Sequence, residues 1–160
     1  FEPNALFLKR DNKYVEIGQQ AGVANLGKGH GVAFADVNED GNLDIYLGSG
    51  GHYPGDVWPN SLYLNRGTQF NGISINLMGS ENNQFSIGAN VTLHSGQHSR
   101  IQRLDAGSGF GSTNSYLLHY GLGIHDQIDS VFVSWPSGKH EMHYPTTKER
   151  NLIFNYSQDD

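Results

Sequence analysis

The most informative stretch of the sequence is Asp36-Val37-Asn38-Glu39-Asp40-Gly41-Asn42-Leu43-Asp44. Oxygen-bearing side chains occur there at every second position. Ca²⁺ takes about six to eight oxygen ligands, and closely spaced carboxylates repel one another without a cation. The spacing therefore predicts a calcium loop. Its ligands are the side chains of Asp36, Asn38, Asp40 and Asp44 and the backbone carbonyl of Asn42, and Gly41 allows the sharp turn.

The residues on either side of this loop predict strands rather than helices. Gly31-Val32-Ala33-Phe34-Ala35 enters the loop and Leu43-Asp44-Ile45-Tyr46-Leu47 leaves it, and both runs are rich in β-branched or aromatic residues. A helix-flanked calcium loop needs a bidentate Glu at about its twelfth position, which is Leu47 here. The alternative interpretation is a solvated hairpin turn, which Asp, Asn and Gly also favour.

The pattern Gly29-x-Gly31-Val32-Ala33-Phe34-Ala35-Asp36-Val37-Asn38-x-Asp40-Gly41-x-Leu43-Asp44 resembles an FG-GAP/VCBS repeat. In that family the repeat forms one blade of a β-propeller, and the aspartates of the loop hold Ca²⁺. The resemblance implies the same ligands that the spacing predicts, namely Asp36, Asn38, Asp40, Asn42 through its backbone, and Asp44.

Composition narrows the class of protein. The net charge of −6, from 16 acidic and 10 basic residues, argues against a nucleic-acid partner. No apolar run approaches the roughly 20 residues that cross a bilayer, and the absence of cysteine excludes disulfides and thiolate sites. A weak calcium site is most readily filled outside the cell, so we expect an extracellular protein, either secreted or at the cell surface.

An internal repeat predicts blade-like units. Pro59-Asn60-Ser61-Leu62-Tyr63-Leu64 repeats the phrase that begins at Pro3, 56 positions later. A propeller closes with about 4–8 blades, and this chain carries one complete calcium loop. Two interpretations remain open: a fragment of a longer propeller protein, or a homo-oligomer or filament built head to tail through exposed strand edges.

From Phe70 onward the pattern predicts a second domain. Short alternating segments such as Ile73-Ser74-Ile75-Asn76-Leu77 recur about every ten residues with Gly and Asn turns between them, which indicates an antiparallel β-sandwich or small barrel. We therefore expect an all-β chain with two domains: a propeller-blade-like antiparallel sheet fragment with its calcium loop in residues 1–69, and the sandwich or barrel in 70–160.

This second region resembles the ASPIC/UnbV domain, which occurs beside FG-GAP repeats in secreted proteins. The residues that carry the resemblance are Asn83, Ile87-Gly88-Ala89-x-Val91, Gly107, Gly121-Leu122-Gly123 and Val131-x-Val133-x-Trp135-Pro136-x-Gly138. The resemblance implies an extracellular, calcium-linked structural or adhesive role and supplies no reaction.

The remaining motifs are weaker. Asn90-Val91-Thr92 and Asn155-Tyr156-Ser157 are glycosylation acceptor sequences, with both asparagines on the polar side of a strand pattern. The loop containing His52, Tyr53, Asp56 and Trp58 suggests a carbohydrate-recognition module as an alternative function; the other interpretation is a surface loop anchored by Trp58.

No catalytic motif accompanies the eight histidines. The leading hypothesis is a non-enzymatic, extracellular calcium-binding structural or adhesive protein.

Overall fold

The computed structural model describes residues 2–51, 53–55, 57–67, 71–146 and 149–157, and these residues form strands and no helix. The all-β class expected from the sequence is confirmed. In chain order the strands are β1 (Phe7–Arg10), β2 (Lys13–Glu16), β3 (Gly29–Ala35), β4 (Asp44–Ser49), β5 (Ser61–Tyr63), β6 (Asn71–Met78), β7 (Asn90–Ser95), β8 (His98–Arg103), β9 (Leu118–Gly123), β10 (Ser130–Ser134), β11 (His140–His143) and β12 (Asn151–Asn155).

The first region contains a hairpin and a three-stranded sheet. Strands β1 and β2 pair around a turn at Asp11 and Asn12, two residues that tolerate the left-handed backbone found there, with φ of 46° and 62°. Strands β3, β4 and β5 form an antiparallel sheet in that order. The 36–43 segment joins β3 to β4, so the expected loop between two strands is confirmed.

The second region is a sandwich of two sheets. One sheet has the antiparallel order β11-β10-β7-β8, and the other has the order β12-β6-β9. Strands β7 and β10 alternate buried and half-buried residues, as strands with one face on a core should. Both sheets contribute to one buried cluster: Ile73, Ile75, Leu77, Ala89, Val91, Leu93, Leu104, Leu118, Tyr120, Leu122, Val131, Val133, Trp135 and Leu152.

Two expectations for this region need correction. The barrel alternative does not form, because both sheets keep open edges within the described residues. The sandwich is also not wholly antiparallel, since β12 pairs with β6 in parallel, Leu152 opposite Ile75. Parallel neighbours require a long crossover connection, and here the whole four-stranded sheet and β9 lie between these two strands in the sequence.

A loop of the second region closes one edge of the first sheet. The Ser112 hydroxyl donates to the Val32 carbonyl at 2.8 Å, the Phe34 amide donates to Asn114 Oδ1 at 2.9 Å, and the Ser115 amide donates to the Phe34 carbonyl at 3.3 Å. These bonds satisfy backbone groups on the side of β3 that faces away from β4. The β3 edge is therefore not available to a strand from another chain.

Candidate metal centre in the 36–44 loop

The Asp36 side chain shapes the start of the loop. Its two carboxylate oxygens accept hydrogen bonds from the amides of Asp40, at 3.1 Å, and Gly41, at 2.8 Å. Glu39 and Gly41 have positive φ, 58° and 89°. Such backbone is strained for most residues and natural for glycine. Asp36 thus folds the chain back over itself and leaves the following polar side chains on one short turn.

Asp40 is the polar centre of that turn. Its Oδ1 accepts bonds from both the amide and the side-chain nitrogen of Asn42, each at 2.9 Å, and its Oδ2 accepts from Asn38 Nδ2 at 3.0 Å. The side-chain bond from Asn42 lowers the pKa of the exposed Asp40 carboxyl below its usual value, and the Asn42 amide and Asn38 add to this effect. Asp40 therefore carries its negative charge at every physiological pH.

Asp44 is buried, with 1% of its surface exposed. Its Oδ2 accepts from the Val37 amide at 3.0 Å and its Oδ1 accepts from the Asn65 amide at 2.7 Å. One carboxylate therefore joins the beginning of the loop, the first residue of β4 and the chain that follows β5. Sequence reasoning found Asp44 by its spacing but had no signal for Asn65, which lies 21 positions away.

The back of the loop rests on the sandwich. His119 of β9 donates from Nε2 to the Gly41 carbonyl at 2.8 Å. A side chain at Gly72 of β6 would lie only 2.6 Å from that same carbonyl oxygen, so the loop approaches the sheet backbone closely. The guanidinium of Arg150 is also near, 3.2 Å from where a Cβ of Gly41 would be. Sequence reasoning missed these contacts, because 78 positions separate Gly41 from His119.

The donors of this loop suit a hard cation. Every side chain predicted to bind Ca²⁺ offers oxygen, and an ionised carboxylate has about four lone-pair sites, so one that accepts two amide bonds can still ligate an ion. Across the described ranges, no three His, Asp or Glu side chains are gathered in a metal-holding cluster. The fit to Ca²⁺ is therefore one of donor chemistry and loop position.

The glycosylation candidates differ in accessibility. Asn155 is exposed on β12, at the edge of its sheet. Asn90 is half-buried on β7, between β10 and β8, where its neighbours are Ser134 and Arg103.

The 52–58 loop is only partly described, since His52 and Asp56 lie outside the described residues. Tyr53 is 76% exposed. Trp58 is half-buried, and its ring lies 3.5 Å from where a Cβ of Gly27 would be. This packing matches the anchored-loop interpretation and leaves less of the indole face for a sugar.

Several histidines pack against neighbouring rings or a carboxylate in the described part of the chain. His98 and His125 have ring centroids 5.6 Å apart. His143 contacts Glu141 at 3.2 Å, and its ring stacks on Phe154 at a centroid distance of 4.1 Å. These contacts are typical of surface and cross-strand packing.

Comparison with known families defines the class of this protein. The family described as ASPIC and UnbV matches residues 79–160, about half of the chain. The chain belongs to this family, and the matched segment contains both sheets of the sandwich except β6. The resemblance of the first region to FG-GAP/VCBS repeats stays a prediction.

The alignments with individual relatives cover more of this chain than the family segment does. Cartilage acidic protein 1 of Mus musculus is 34% identical over 143 residues, covering 84% of this chain and 21% of the relative. The Homo sapiens protein of that name is 33% identical, covering 79% and 19%, and that of Xenopus tropicalis is 34% identical, covering 71% and 17%. The chain thus spans about a fifth of the length of these curated relatives. No helix long and apolar enough to cross a membrane occurs among the described residues.

Proposed function

We propose that this protein is a non-enzymatic, calcium-binding structural module of an extracellular protein, in which an ion at the 36–44 loop fastens the first sheet to the sandwich. The observation that carries the proposal is the position of the loop. It bonds to β9 through Gly41 and His119, and it is tied to the chain after β5 through Asp44 and Asn65. An ion held there would stabilise both regions and the contact between them.

The ion would be held by Asp36, Asn38, Asp40, the Asn42 carbonyl and Asp44. Ca²⁺ would supply positive charge to a loop whose carboxylates otherwise repel one another. The chain's own residues do the rest. Asp36 sets the turn, Asn38 and Asn42 orient the Asp40 carboxylate, and His119 holds the far side of the loop against β9.

The extracellular setting is supported by similarity to cartilage acidic protein 1. Weak calcium sites in extracellular modules have Kd values of about 10⁻⁴–10⁻³ M, which the calcium outside cells would fill. Glycans would be carried most readily at the exposed Asn155. That this chain shares the role of the much longer relatives as whole proteins is likewise part of the proposal.

Assembly into a homo-oligomer or filament through strand edges would have to use edges other than β3. The loop that includes Ser112 and Asn114 already bonds that edge. Among the described strands, the candidates that remain are β1 and β2 of the hairpin, β5, only three residues long, and the outer strands of the sandwich. Measuring the particle size with and without calcium tests this finer proposal, and a calcium-independent monomer would count against it.

The calcium proposal is tested by titration calorimetry with two charge-matched variants of the loop. Asp40→Asn removes a predicted ligand, whereas Glu39→Gln removes the same charge from an exposed neighbour outside the predicted ligand set. Because affinity follows the number of charged ligands, we expect Asp40→Asn to weaken calcium binding by about tenfold or more and Glu39→Gln by much less. Equal losses of calcium affinity in both variants would mean that the effect reflects net charge alone. No saturable calcium binding by the unmodified chain would refute the proposal.

A further inference from the structure

The outer face of the four-stranded sheet carries a row of apolar side chains that crosses all four strands. The buried residues of β7 and β10 face the core, so the intervening Thr92 and Phe132 lie on the opposite face. Phe132 pairs with Met142 of β11 and with Thr92 of β7, and Thr92 pairs with Ile101 of β8. Met142 is 47% exposed and Ile101 is 69% exposed. We call Met142, Phe132, Thr92 and Ile101 the outer row, and covering such apolar surface would stabilise the sheet.

Asn90 lies on the same face, beside the outer row. It is two positions from Thr92 on β7, and its partner on β10 is Ser134. Ser134 in turn pairs with His140 of β11, whose ring stacks on Phe132 at a centroid distance of 5.5 Å and an interplanar angle of 26°. The small Ser134 side chain therefore lies between Asn90 and a pair of stacked rings.

The two sides of Asn90 differ in the size of the neighbouring side chain. Towards β8, Asn90 pairs with Arg103, a long side chain whose Nε lies 3.1 Å from Asp105 Oδ1. Directly opposed residues of an antiparallel pair lie about 4.5–5.5 Å apart, and diagonal neighbours lie about 7–8 Å apart. A group attached to the Asn90 amide thus finds the lower surface over Ser134, with Phe132 as its diagonal neighbour.

The sequence provides for a group at this position. Asn90-Val91-Thr92 is an acceptor sequence for attachment of a sugar to the Asn90 amide. A sugar ring has hydroxyl groups at its rim and C–H groups on its faces, so one face packs on an aromatic ring while the rim stays in water. The half-buried position of Asn90 does not prevent attachment, because the sugar is transferred while the chain is still unfolded. The occupant of this face is therefore carried by the chain itself.

We propose that Asn90 carries an N-linked glycan whose first sugar lies over Ser134, packs against Phe132 and His140, and covers that half of the outer row. The donor is a lipid-linked glycosyl diphosphate. A bond forms between Asn90 Nδ2 and the anomeric carbon of the sugar, the bond from that carbon to the diphosphate oxygen breaks with its electron pair on oxygen, and the amide releases one proton. This inference rests on the extracellular setting proposed above and is independent of the calcium site.

Mass spectrometry of the secreted chain tests the attachment. The chain has two acceptor sequences, so Asn155→Gln leaves Asn90 as the remaining acceptor. Secreted from cultured human cells, this variant should carry one glycan, and the further substitution Asn90→Gln should abolish it. An unmodified Asn90 in the secreted chain would overturn the inference. That result would leave the calcium proposal standing, because the calorimetry is carried out on unmodified chain made in bacteria.

Thermal unfolding tests the packing of the first sugar. A mannosidase inhibitor in the culture followed by endoglycosidase H leaves one N-acetylglucosamine on Asn90, whereas the same Asn155→Gln chain made in bacteria carries none. At equal calcium concentration, the single sugar should raise the melting temperature by about 2–4 °C. Equal melting temperatures for the two forms would refute the packing.

Two matched variants locate the sugar. Phe132→Thr removes the ring beside Ser134, and Ile101→Thr removes the diagonal neighbour of Asn90 on β8; threonine is a strand former, so both keep the sheet. The difference in melting temperature between the two forms should vanish in Phe132→Thr and persist in Ile101→Thr. The reverse result would place the sugar towards Arg103 and refute the assignment.

Light scattering checks a different occupant of the outer row, a second copy of the chain. We expect a monomer whether or not the sugar is attached. A dimer that persists with the sugar in place and dissociates in Phe132→Thr would show that a second copy covers the row, and it would overturn the inference.

Discussion

Substitution of Asp44 tests whether one buried carboxylate holds the 36–44 loop to its sheet. Asp44 is nearly inaccessible to solvent, and its two oxygens accept the amides of Val37 and Asn65 at 3.0 and 2.7 Å. Asp44→Asn retains one acceptor oxygen but presents an NH₂ group to the second amide. Asp44→Ala removes both bonds.

The expected losses follow from these two bonds. A hydrogen bond to a charged group contributes about 1.5–3 kcal/mol, so Asp44→Ala should lower the free energy of unfolding by about 3–6 kcal/mol. Asp44→Asn, which loses one bond, should lower it by about 1.5–3 kcal/mol. Since small domains are stable by about 5–15 kcal/mol, the asparagine variant is the one to measure.

Urea unfolding followed by circular dichroism, with EDTA present, isolates the hydrogen bonds from any ion. Asp11→Asn is the matched control, because Asp11 lies in the exposed β1–β2 turn, where a change within about 0.5 kcal/mol is expected. If Asp44→Asn is as stable as the control in EDTA, the tether inferred from the two bonds is wrong. If it is destabilised only when calcium is added, the carboxylate acts through the ion alone.

Two further predictions concern the core and the contact between the regions. Burial holds the pKa of Tyr120 well above its ordinary value near 10, so the neutral phenol is favoured in the folded state. The free energy of unfolding should therefore be constant below about pH 10 and fall as the pH rises beyond it. Tyr120→Phe leaves the Val91 carbonyl without its 2.8 Å donor and should lower the free energy of unfolding by about 1 kcal/mol at pH 7. The same substitution should remove the loss of stability at alkaline pH. An unchanged alkaline slope in urea unfolding would contradict the assignment. Asn114→Ala removes the acceptor of the Phe34 amide and should cost about 1 kcal/mol. It should also speed hydrogen exchange at that amide, with Asn155→Ala as an exposed control; equal exchange in both variants would show that the loop does not protect β3.

Local patterns predicted most of the strands. The alternation around Val91 and Leu93 and the turn at Ser95-Gly96 predicted the β7–β8 hairpin, which forms with Ser95 opposite His98. Hairpins of this kind are specified by neighbouring residues, so sequence alone suffices. The parallel pairing of β12 with β6 was missed because the partners are far apart in the chain, and alternation does not name a partner.

The candidate calcium loop shows the same division. Spacing alone selected Asp36, Asn38, Asp40, Asn42 and Asp44 as one group. It could not show that Asp44 would be buried, which depends on the chain after β5 returning to the loop. The half-buried position of Asn90 also escaped prediction, since alternation places it on the polar face but does not reveal that β7 lies between two strands.

The amino-acid sequence by itself determined the all-β class, the hairpins and the row of oxygens in the 36–44 loop. These features depend on residues that are neighbours along the chain, whose backbone preferences and side-chain periods act over a few positions. Only the tertiary structure decided that a distant loop closes the β3 edge, that His119 contacts the 36–44 loop, and that Trp135 is buried in the core of the sandwich. Those outcomes depend on how two sheets bury a shared core, and that burial brings together groups that no short-range pattern relates.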